Sequence, residues 1–381
     1  MWSGAAFYFV YFLAAGAYMP FIYVYFVQLG MSGIQVGVLS SFAPAMSILV
    51  APLVASFADR SGRRILVARV CLFCTSALLI CLRIAESFPV AAALMLILAF
   101  FSTGVMPIVE GIIAHQCRQK GQNFGAMRLW GSLGWAIAAL GFAALWERTG
   151  YPEMFVACGA LSFVLVPLLS KLRDISGSGE KWGNPFVLLR DKALLLVLLA
   201  TFFAALSSGL SMTFSGVYAQ WLRGGNMIVG AISAAGALAE LPLMFFSWRI
   251  ADRVGEAKAL VIAYLTMGGA CAGFAASPSA ALLPLLAAMR GFGYGLWIPV
   301  TVRVVARRTP VDLAATGQAL LAGCIMGLGP LVAGPVGGAL YDRLSPRAVF
   351  GLAALGVLAA VPLITWGTRL LVARGGHLPN E

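Results

Sequence analysis

The sequence predicts an all-α membrane protein of twelve transmembrane helices arranged as two six-helix halves. Of its 381 residues, 61% are hydrophobic and only 10% are charged, and the mean hydropathy is +0.92. Uncharged runs of about twenty residues recur along the chain, which is the length that a hydrocarbon layer roughly 30 Å thick demands of a helix. Helices are expected because lipid offers backbone N–H and C=O groups no partner, and the runs show no strand-like alternation.

Twelve apolar runs follow one another with short connections, and each predicts one spanning helix. They are residues 4–28, 33–57, 64–85, 88–113, 124–146, 152–171, 192–220, 227–250, 257–276, 279–302, 311–338 and 347–372. The longest connection leaves no room for a soluble domain between the runs. We therefore expect an N-terminal half at 1–171, a cytoplasmic linker at 172–191, and a C-terminal half with a short cytoplasmic tail at 192–381.

The basic residues are spread unevenly over the connections. The chain has 26 Lys and Arg against 14 Asp and Glu, a formal net charge of +12. If the N-terminus is cytoplasmic, twenty basic residues fall on the cytoplasmic side and five on the other, with Arg290 alone inside a run. Connections rich in Lys and Arg face the cytoplasm. We therefore expect both termini there, in a plasma membrane such as a bacterial inner membrane, with the lipid bilayer rather than nucleic acid as the partner.

An acid-Arg pair recurs in the turns of the chain. The turn after the second run reads Asp59-Arg60-Ser61-Gly62, and the turn after the eighth reads Asp252-Arg253-Val254-Gly255. Weaker copies are Glu147-Arg148-Thr149-Gly150 after the fifth run and Asp342-Arg343 after the eleventh. Pairs that recur after every second span of a three-span unit indicate inverted repeats nested in two parallel halves, which is the symmetry of a transporter.

Three segments carry a family resemblance. Residues 55–64, Ala-Ser-Phe-Ala-Asp-Arg-Ser-Gly-Arg-Arg, resemble the major facilitator superfamily signature between helices two and three, with Ala55 in place of the usual glycine. Residues 16–21 and 124–135 resemble the branch of the lactose and 3-phenylpropionic acid permeases. The likeness covers nearly the whole chain and implies a twelve-helix transporter that needs no cofactor.

The resemblance also implies a gate at the cytoplasmic end that breaks as the two halves rock. Its residues would be Asp59, Arg60, Gly62, Arg63, Arg64, Asp252 and Arg253. The alternative is that a basic cytoplasmic cluster only fixes the orientation of the chain. The acid inside the cluster, and its copy in the second half, favour the gate.

Glu110 and Arg128 are the most informative pair in this apolar chain. They flank the turn between the fourth and fifth runs symmetrically, each about nine residues, or roughly 13 Å of helix rise, from its tip. An antiparallel hairpin therefore lets them meet. A carboxylate facing a guanidinium would offer hydrogen-bonding groups to a hydroxylated or carboxylated solute. The alternatives are a salt bridge that only clamps two helices, or side chains that extend toward the cytoplasm.

Ser132 and Trp135 follow Arg128 at i+4 and i+7, so the three share one face of the fifth helix. An indole ring is a platform for the apolar face of a sugar or for an aromatic ring. A lone Trp in a membrane helix is more often an interfacial anchor, but Trp135 lies about twelve residues into its run, too deep for that role. The resemblance to lactose permease implies substrate contact for Glu110, Arg128 and Trp135.

Glu240 and Arg290 lie deep in the eighth and tenth runs, at nearly the same predicted level. Burying either one alone would cost about 2.5–3.5 kcal/mol, so we expect them to pair or to face a wet cavity. Protonation of Glu240 would then couple a proton to transport. The alternatives are a static pair and, because Arg290 stands where the resembled branch has histidine, a fixed cation for an anionic substrate.

These features predict a secondary active transporter for a small polar organic solute, with a sugar or glycoside favoured and an aromatic carboxylate close behind, working with protons as a symporter. A drug or metabolite exporter of the same fold is the alternative. An intramembrane enzyme is disfavoured because no HExxH or Ser/His pattern appears. The seven cysteines suggest no metal site. We expect a functional monomer.

Overall fold

The computed structural model describes residues 2–119, 124–170, 172, 185–310 and 313–373, and every regular element in those ranges is helical. Within the described residues, eleven helices are long and apolar enough to cross a membrane, and a bent pair of helices, counted as one span, brings the number to twelve. The prediction of an all-α membrane protein with twelve spans is thereby confirmed. The predicted linker lies mostly outside the described residues, and its last part holds a short helix, Pro185–Leu189.

Six spans make up the first half, and three of them are interrupted. Their bounds are α1, Trp2–Tyr18 and Ile22–Gln28; α2, Gly33–Leu49 and Ala51–Ser61; α3, Arg64–Cys81; α4, Phe88–Ser102 and Val105–Gln119; α5, Phe124–Thr149; and α6, Pro152–Leu169. The sequence explains several ends. Ser32 and Gln35 form a reciprocal capping box at the start of α2, and Gly62 ends α2 with a φ of +65°.

The second half has six spans as well. Their bounds are α7, Lys192–Trp221; α8, Asn226–Val254; α9, Glu256–Ala276; α10, Leu283–Arg308; α11, Ala314–Ala322, a π-helical turn Gly323–Leu328, and Gly329–Arg343; and α12, Pro346–Ala373. α8 and α10 continue four and six residues beyond their apolar runs. These extensions contain charged residues such as Arg253 and Arg307. They remain helical because the backbone hydrogen bonds of a helix continue beyond the edge of the hydrocarbon layer.

The interruptions have local causes. Pro20 lies in the break of α1, where its missing N–H removes a helix hydrogen bond. α2 bends by 42° at Val50, just before Pro52, and α4 is broken at Thr103 and Gly104. Hydropathy does not respond to a missing hydrogen bond, so each of these spans was predicted as one continuous run.

Because consecutive spans alternate in direction, α1 begins and α12 ends at one end of the bundle, here called the terminal end; the other is the distal end. The halves meet mainly along α2 with α11 and along α5 with α8. The terminal segments Ala51–Ser61 of α2 and Ala314–Ala322 of α11 pack within their own halves. The described contacts between the halves are therefore concentrated toward the distal end.

Small residues allow the distal contact to be close. A Cβ atom at Gly37 would collide with the backbone carbonyl of Gly334, and one at Gly230 with the carbonyl of Ala139. Helix backbones approach one another in membranes where side chains are this small. In this conformation the bundle is closed at the distal end.

Candidate functional site

The predicted pair Glu110 and Arg128 is brought together. Arg128 Nη1 lies 3.5 Å from Glu110 Oε1, and the hydroxyl of Tyr8 on α1 donates to the same carboxylate oxygen at 3.4 Å. The side chains of Glu110 and Arg128 remain 32% and 51% exposed. Both groups therefore keep hydrogen-bonding capacity that the pair itself does not use.

Trp135 lies where the two halves touch. Its indole Nε1–H donates to the hydroxyl of Ser233 on α8 at 2.8 Å, and its ring meets Phe12 of α1 edge-on at 6.4 Å. Ser132 is half-buried one turn away from Trp135, toward the terminal end. Ser233 is not among the site residues predicted from the sequence. The available signal was its position seven residues before Glu240, on the same face of α8.

The contact between Trp135 and Ser233 fixes the register of α5 against α8. The two helices are antiparallel; Arg128 is seven residues from Trp135 on one, and Glu240 is seven residues from Ser233 on the other. Arg128 and Glu240 therefore face each other about 10.5 Å toward the terminal end. The guanidinium of Arg128 accordingly acts electrostatically on the Glu240 carboxylate across the two halves.

Glu240 and Arg290 are neighbours that do not form an ion pair. A Cβ at Gly291 would collide with the Gly236 carbonyl, and one at Gly295 with the Glu240 carbonyl. α8 and α10 run in the same direction, so this packing sets Arg290 about five residues, or roughly 7.5 Å, distal to Glu240. The run lengths predicted that Arg290 and Glu240 lie at nearly the same level in the membrane. In the structure, the levels of the two residues differ by more than one helical turn.

Each of these two groups lacks an ion-pair partner among the described residues. The Glu240 carboxylate is half-buried and feels both Arg128 and Arg290. Tyr294, one turn along α10 from Arg290, lies within the field of all three charges. With Glu110, these residues form a central polar cluster, two acids and two bases, drawn from both halves of an otherwise apolar bundle.

The Asp59 turn contains an ion pair. Arg64 Nε donates to Asp59 Oδ1 at 2.6 Å, whereas Arg60 and Arg63 are exposed. Gly62 adopts a left-handed backbone. The turn therefore connects α2 to α3 by an ion pair within the first half.

The corresponding turn of the second half is more extensively paired. Asp252 contacts Arg303 of α10, while Arg253 is exposed at the surface. Arg303 also lies 2.9 Å from Glu256, which in turn lies 3.0 Å from Arg307. Glu256, Arg303 and Arg307 are not among the site residues predicted from the sequence. The spacing of Arg303 and Arg307 by one helical turn was the available signal.

The fourth acid-Arg copy has a different role from the others. Asp342 at the end of α11 accepts hydrogen bonds from the backbone N–H groups of Gly33 at 2.7 Å and Ile34 at 2.9 Å, at the start of α2. A carboxylate at a helix N-terminus satisfies free donors and complements the helix dipole. Asp342 therefore joins the two halves at the distal end.

Several known proteins are similar to this chain in sequence. The sequence matches the MFS_1 like family over residues 1–352. It is 26% identical to the maltose permease of Geobacillus stearothermophilus over 360 residues, 92% of this chain and 91% of that one. It is 27% identical over 355 residues to a Lactococcus lactis protein named multi-drug resistance efflux pump PmrA homolog, covering 87% of this chain and 85% of that one.

Solved structures show the same fold. The nucleoside transporter NupG superposes with a TM-score of 0.81 at 16% identity, covering 97% of this chain and 98% of that one. A bacterial homolog of the human lysosomal transporter Spinster, inward-facing and occupied, superposes with a TM-score of 0.72 at 17% identity, covering 99% and 98%.

Two bundles of six helices that enclose polar groups are the architecture of a membrane transporter. The chain belongs to the MFS_1 like family of the major facilitator superfamily. It is a membrane transporter rather than an enzyme.

Proposed function

We propose that this transporter carries a small polar organic solute through the central polar cluster, with a sugar or glycoside as the favoured substrate and proton symport as the energy source. The observation that best supports this proposal is the position of Arg128. It lies 3.5 Å from Glu110 in its own half and faces Glu240 in the other. One guanidinium thus connects the proposed solute site to the proposed proton site.

The chemistry of Glu110, Arg128, Ser132 and Trp135 favours a hydroxylated solute. A carboxylate accepts from hydroxyl groups, a guanidinium donates to them, and Ser132 does both. The half-buried indole of Trp135 offers an apolar surface beside these groups. The name of the Geobacillus stearothermophilus relative, maltose permease, supports the same substrate class.

Glu240 is the proposed proton site. Its carboxylate is held in an apolar span without an ion-pair partner among the described residues, between the fields of Arg128 and Arg290. When it takes up a proton, its attraction for both cations is lost, which would release Arg128 toward Glu110 and the solute. Alternating access then requires the distal contacts to open and the terminal end to close.

Two observations favour a different substrate class or a different direction of transport. Arg290 has no acidic ion-pair partner among the described residues, which suits an aromatic or other carboxylate substrate. The relative named as an efflux pump homolog favours export. Competition between maltose and 3-phenylpropionate for uptake distinguishes the substrate classes, and the effect of gene loss on internal solute distinguishes import from export.

The decisive experiment compares wild type with Glu110→Gln. We expect maltose binding to weaken at least about tenfold, because hydrogen bonds to charged groups are worth about 1.5–3 kcal/mol. Glu153→Gln, an acid paired with Arg83 at the distal end, is the matched control and should bind as wild type does. Uptake into energised cells should collapse with a protonophore.

Full binding of every tested solute by folded Glu110→Gln would refute the site. Uptake that is indifferent to the protonophore would refute proton symport while leaving the transporter assignment intact.

A further inference from the structure

A cavity lies between the halves at the distal end. It has a volume of about 550 Å³ and is lined by the end of α1, the α5–α6 turn and the α7–α8 turn. Cavities of about 300–1,000 Å³ commonly hold small organic ligands. We call this cavity the distal vestibule and define it by six of its lining residues: Gln28, Trp146, Glu147, Tyr151, Gln220 and Asn226. We propose that the distal vestibule is a second binding site, for a neutral ligand with several hydroxyl groups, and that its occupant holds the distal end closed.

The vestibule is separate from the central polar cluster. Trp146 lies eleven residues beyond Trp135 along α5, which corresponds to about 16 Å of helix rise. Between them, the close packing of Gly230 on Ala139 seals α5 against α8. A ligand in the vestibule therefore does not touch Glu110 or Arg128.

Aromatic rings form the rigid part of its wall. Trp146, Tyr25 and Tyr151 are only 2%, 5% and 5% exposed. Trp146 Nε1–H donates to the Ala17 carbonyl at 2.9 Å, and the Tyr151 hydroxyl donates to Asn226 Oδ1. The polar atoms of Trp146 and Tyr151 are thus already engaged, and the ring surfaces that line the cavity suit the apolar C–H face of a cyclic polyol.

Tyr151 keeps its proton. Burial, followed by the charge of Glu147, raises the pKa of the Tyr151 phenol above its ordinary value. The hydroxyl therefore remains a donor to Asn226 under ordinary conditions. This contact also crosses from the first half to the second.

The polar groups of the vestibule suit hydroxyls. Gln220 Nε2 donates to Asn226 Oδ1 at 3.1 Å, so this oxygen accepts two hydrogen bonds, and the Asn226 amino group has no acceptor among the described residues. Glu147 is exposed and forms no ion pair with a described residue, so its carboxylate is available as an acceptor. Amide donors beside a carboxylate acceptor match a ligand whose hydroxyls both donate and accept.

The charge of the lining excludes anions. Among the described residues that line it, Glu147 is the one ionised group, and none is Lys or Arg. An anionic ligand would meet the Glu147 carboxylate without a compensating cation. An organic cation is the rival occupant, and it is one outcome of the test.

Occupancy has a conformational consequence because the lining comes from both halves. Glu147 and Tyr151 belong to the first half, whereas Gln220 and Asn226 belong to the second. A ligand that touches all four loses half of its contacts when the distal end opens. It therefore stabilises the distal-closed state by its difference in affinity for the two states.

The test uses full-length protein in lipid nanodiscs and Glu110→Gln as the background, which weakens binding at the central site. Calorimetric titration with maltose should show residual binding in this background. Adding Glu147→Gln or Asn226→Leu should weaken that binding at least tenfold. Adding Glu153→Gln, an acid at the same end but outside the cavity, should change it less than twofold. Size-exclusion elution verifies the folding of each variant.

Maltose should also slow maleimide labelling of Ser233→Cys at least threefold in the Glu110→Gln background, because that residue lies within the distal contact. Absence of residual maltose binding, or equal binding in the Glu147→Gln and Glu153→Gln variants, overturns the proposal. Binding of choline instead of maltose makes the vestibule a cation site and overturns the ligand class.

The vestibule and the proposed function fail separately. Energised uptake of maltose by wild type, with no binding in the Glu110→Gln background, refutes the vestibule alone. Residual binding that is sensitive to Glu147→Gln, with no uptake by wild type of any tested solute, refutes the proposed function alone.

Discussion

Asp342 joins the two halves through two charge-assisted hydrogen bonds to the first turn of α2. It lies at the same helix start as the Ser32 capping box, so α2 itself does not depend on it for a cap. The contribution of Asp342 is therefore to the contact between halves. A carboxylate at a helix N-terminus is typically worth about 0.3–1 kcal/mol, and up to about 2 kcal/mol when partly buried.

Replacing Asp342 with Asn should shift the protein toward distal-open conformations. The neutral amide oxygen accepts more weakly and loses the charge that complements the helix dipole. We expect about a 2- to 30-fold rise in maleimide labelling of Ser233→Cys from the distal side. Glu153→Gln, which breaks an ion pair inside the first half, is the control. Unchanged labelling in Asp342→Asn would remove Asp342 from the distal contact.

Gly62 is required because of its backbone conformation and not because a larger side chain would lack space. Its φ of +65° is left-handed, and a Cβ there would meet nothing within 4 Å. An alanine in this conformation costs about 1–2 kcal/mol. Thermal unfolding of Gly62→Ala should therefore occur at lower temperature than that of wild type. Gly141→Ala, in the middle of α5 and also without a neighbour within 4 Å, should be neutral or stabilising; equal effects of the two substitutions would contradict this account.

At the scale of helices, two antiparallel contacts carry the distal closure. α2 meets α11 through glycine backbones, including Gly33 against Gly338 and Gly37 against Gly334. α5 meets α8 through alanines, Gly230 and the hydrogen bond between Trp135 and Ser233. Both contacts depend on the absence of large side chains at the crossing points.

A leucine at Gly334 should force α2 and α11 apart. Its Cβ alone would collide with the Gly37 carbonyl and lie 2.5 Å from the hydroxyls of Ser40 and Ser41. We expect lost transport with solute binding retained, and rapid labelling of Ser233→Cys from the distal side. Gly351→Leu on α12 is the matched control, because no atom lies within 4 Å of a Cβ there. Slow labelling in folded Gly334→Leu would show that the α2–α11 contact does not control the distal end.

At the scale of the whole molecule, the distal end is closed and the terminal segments of α2 and α11 stay within their own halves. The terminal end also carries most of the Lys and Arg residues. Basic connections remain in the cytoplasm during membrane insertion. In that orientation the conformation described here opens toward the cytoplasm.

A fluorescent protein fused after Glu381 should therefore fold and fluoresce inside cells. An alkaline phosphatase fused at the same position should be inactive, because that enzyme needs an oxidising compartment for its disulfides. The opposite pattern would place the terminal end outside and reverse the assignment of the two ends. The control fuses each reporter after Gly150, at the distal end, where the results should be exchanged.

The sequence predicted the spans because apolar length is a direct response to bilayer thickness. It also predicted the meeting of Glu110 with Arg128, since both lie on one hairpin whose geometry is local. Contacts between the two halves were harder to predict from the sequence. Ser233 and Asp342 find partners 98 and 309 residues away, and hydropathy contains no information about such register. The axial offset of Arg290 from Glu240 was missed for the same reason, because it depends on which glycines of α10 pack on α8.

The glycine and alanine contacts at the distal end affect how fast that end can open and close. Where helices are held by interlocked large side chains, separation requires those side chains to leave their sockets, which raises the activation barrier. Smooth backbone surfaces joined by a few polar contacts can part without that step. Such a joint is suited to opening and closing on the microsecond-to-millisecond timescale of gating motions, so the distal seal need not limit the turnover rate.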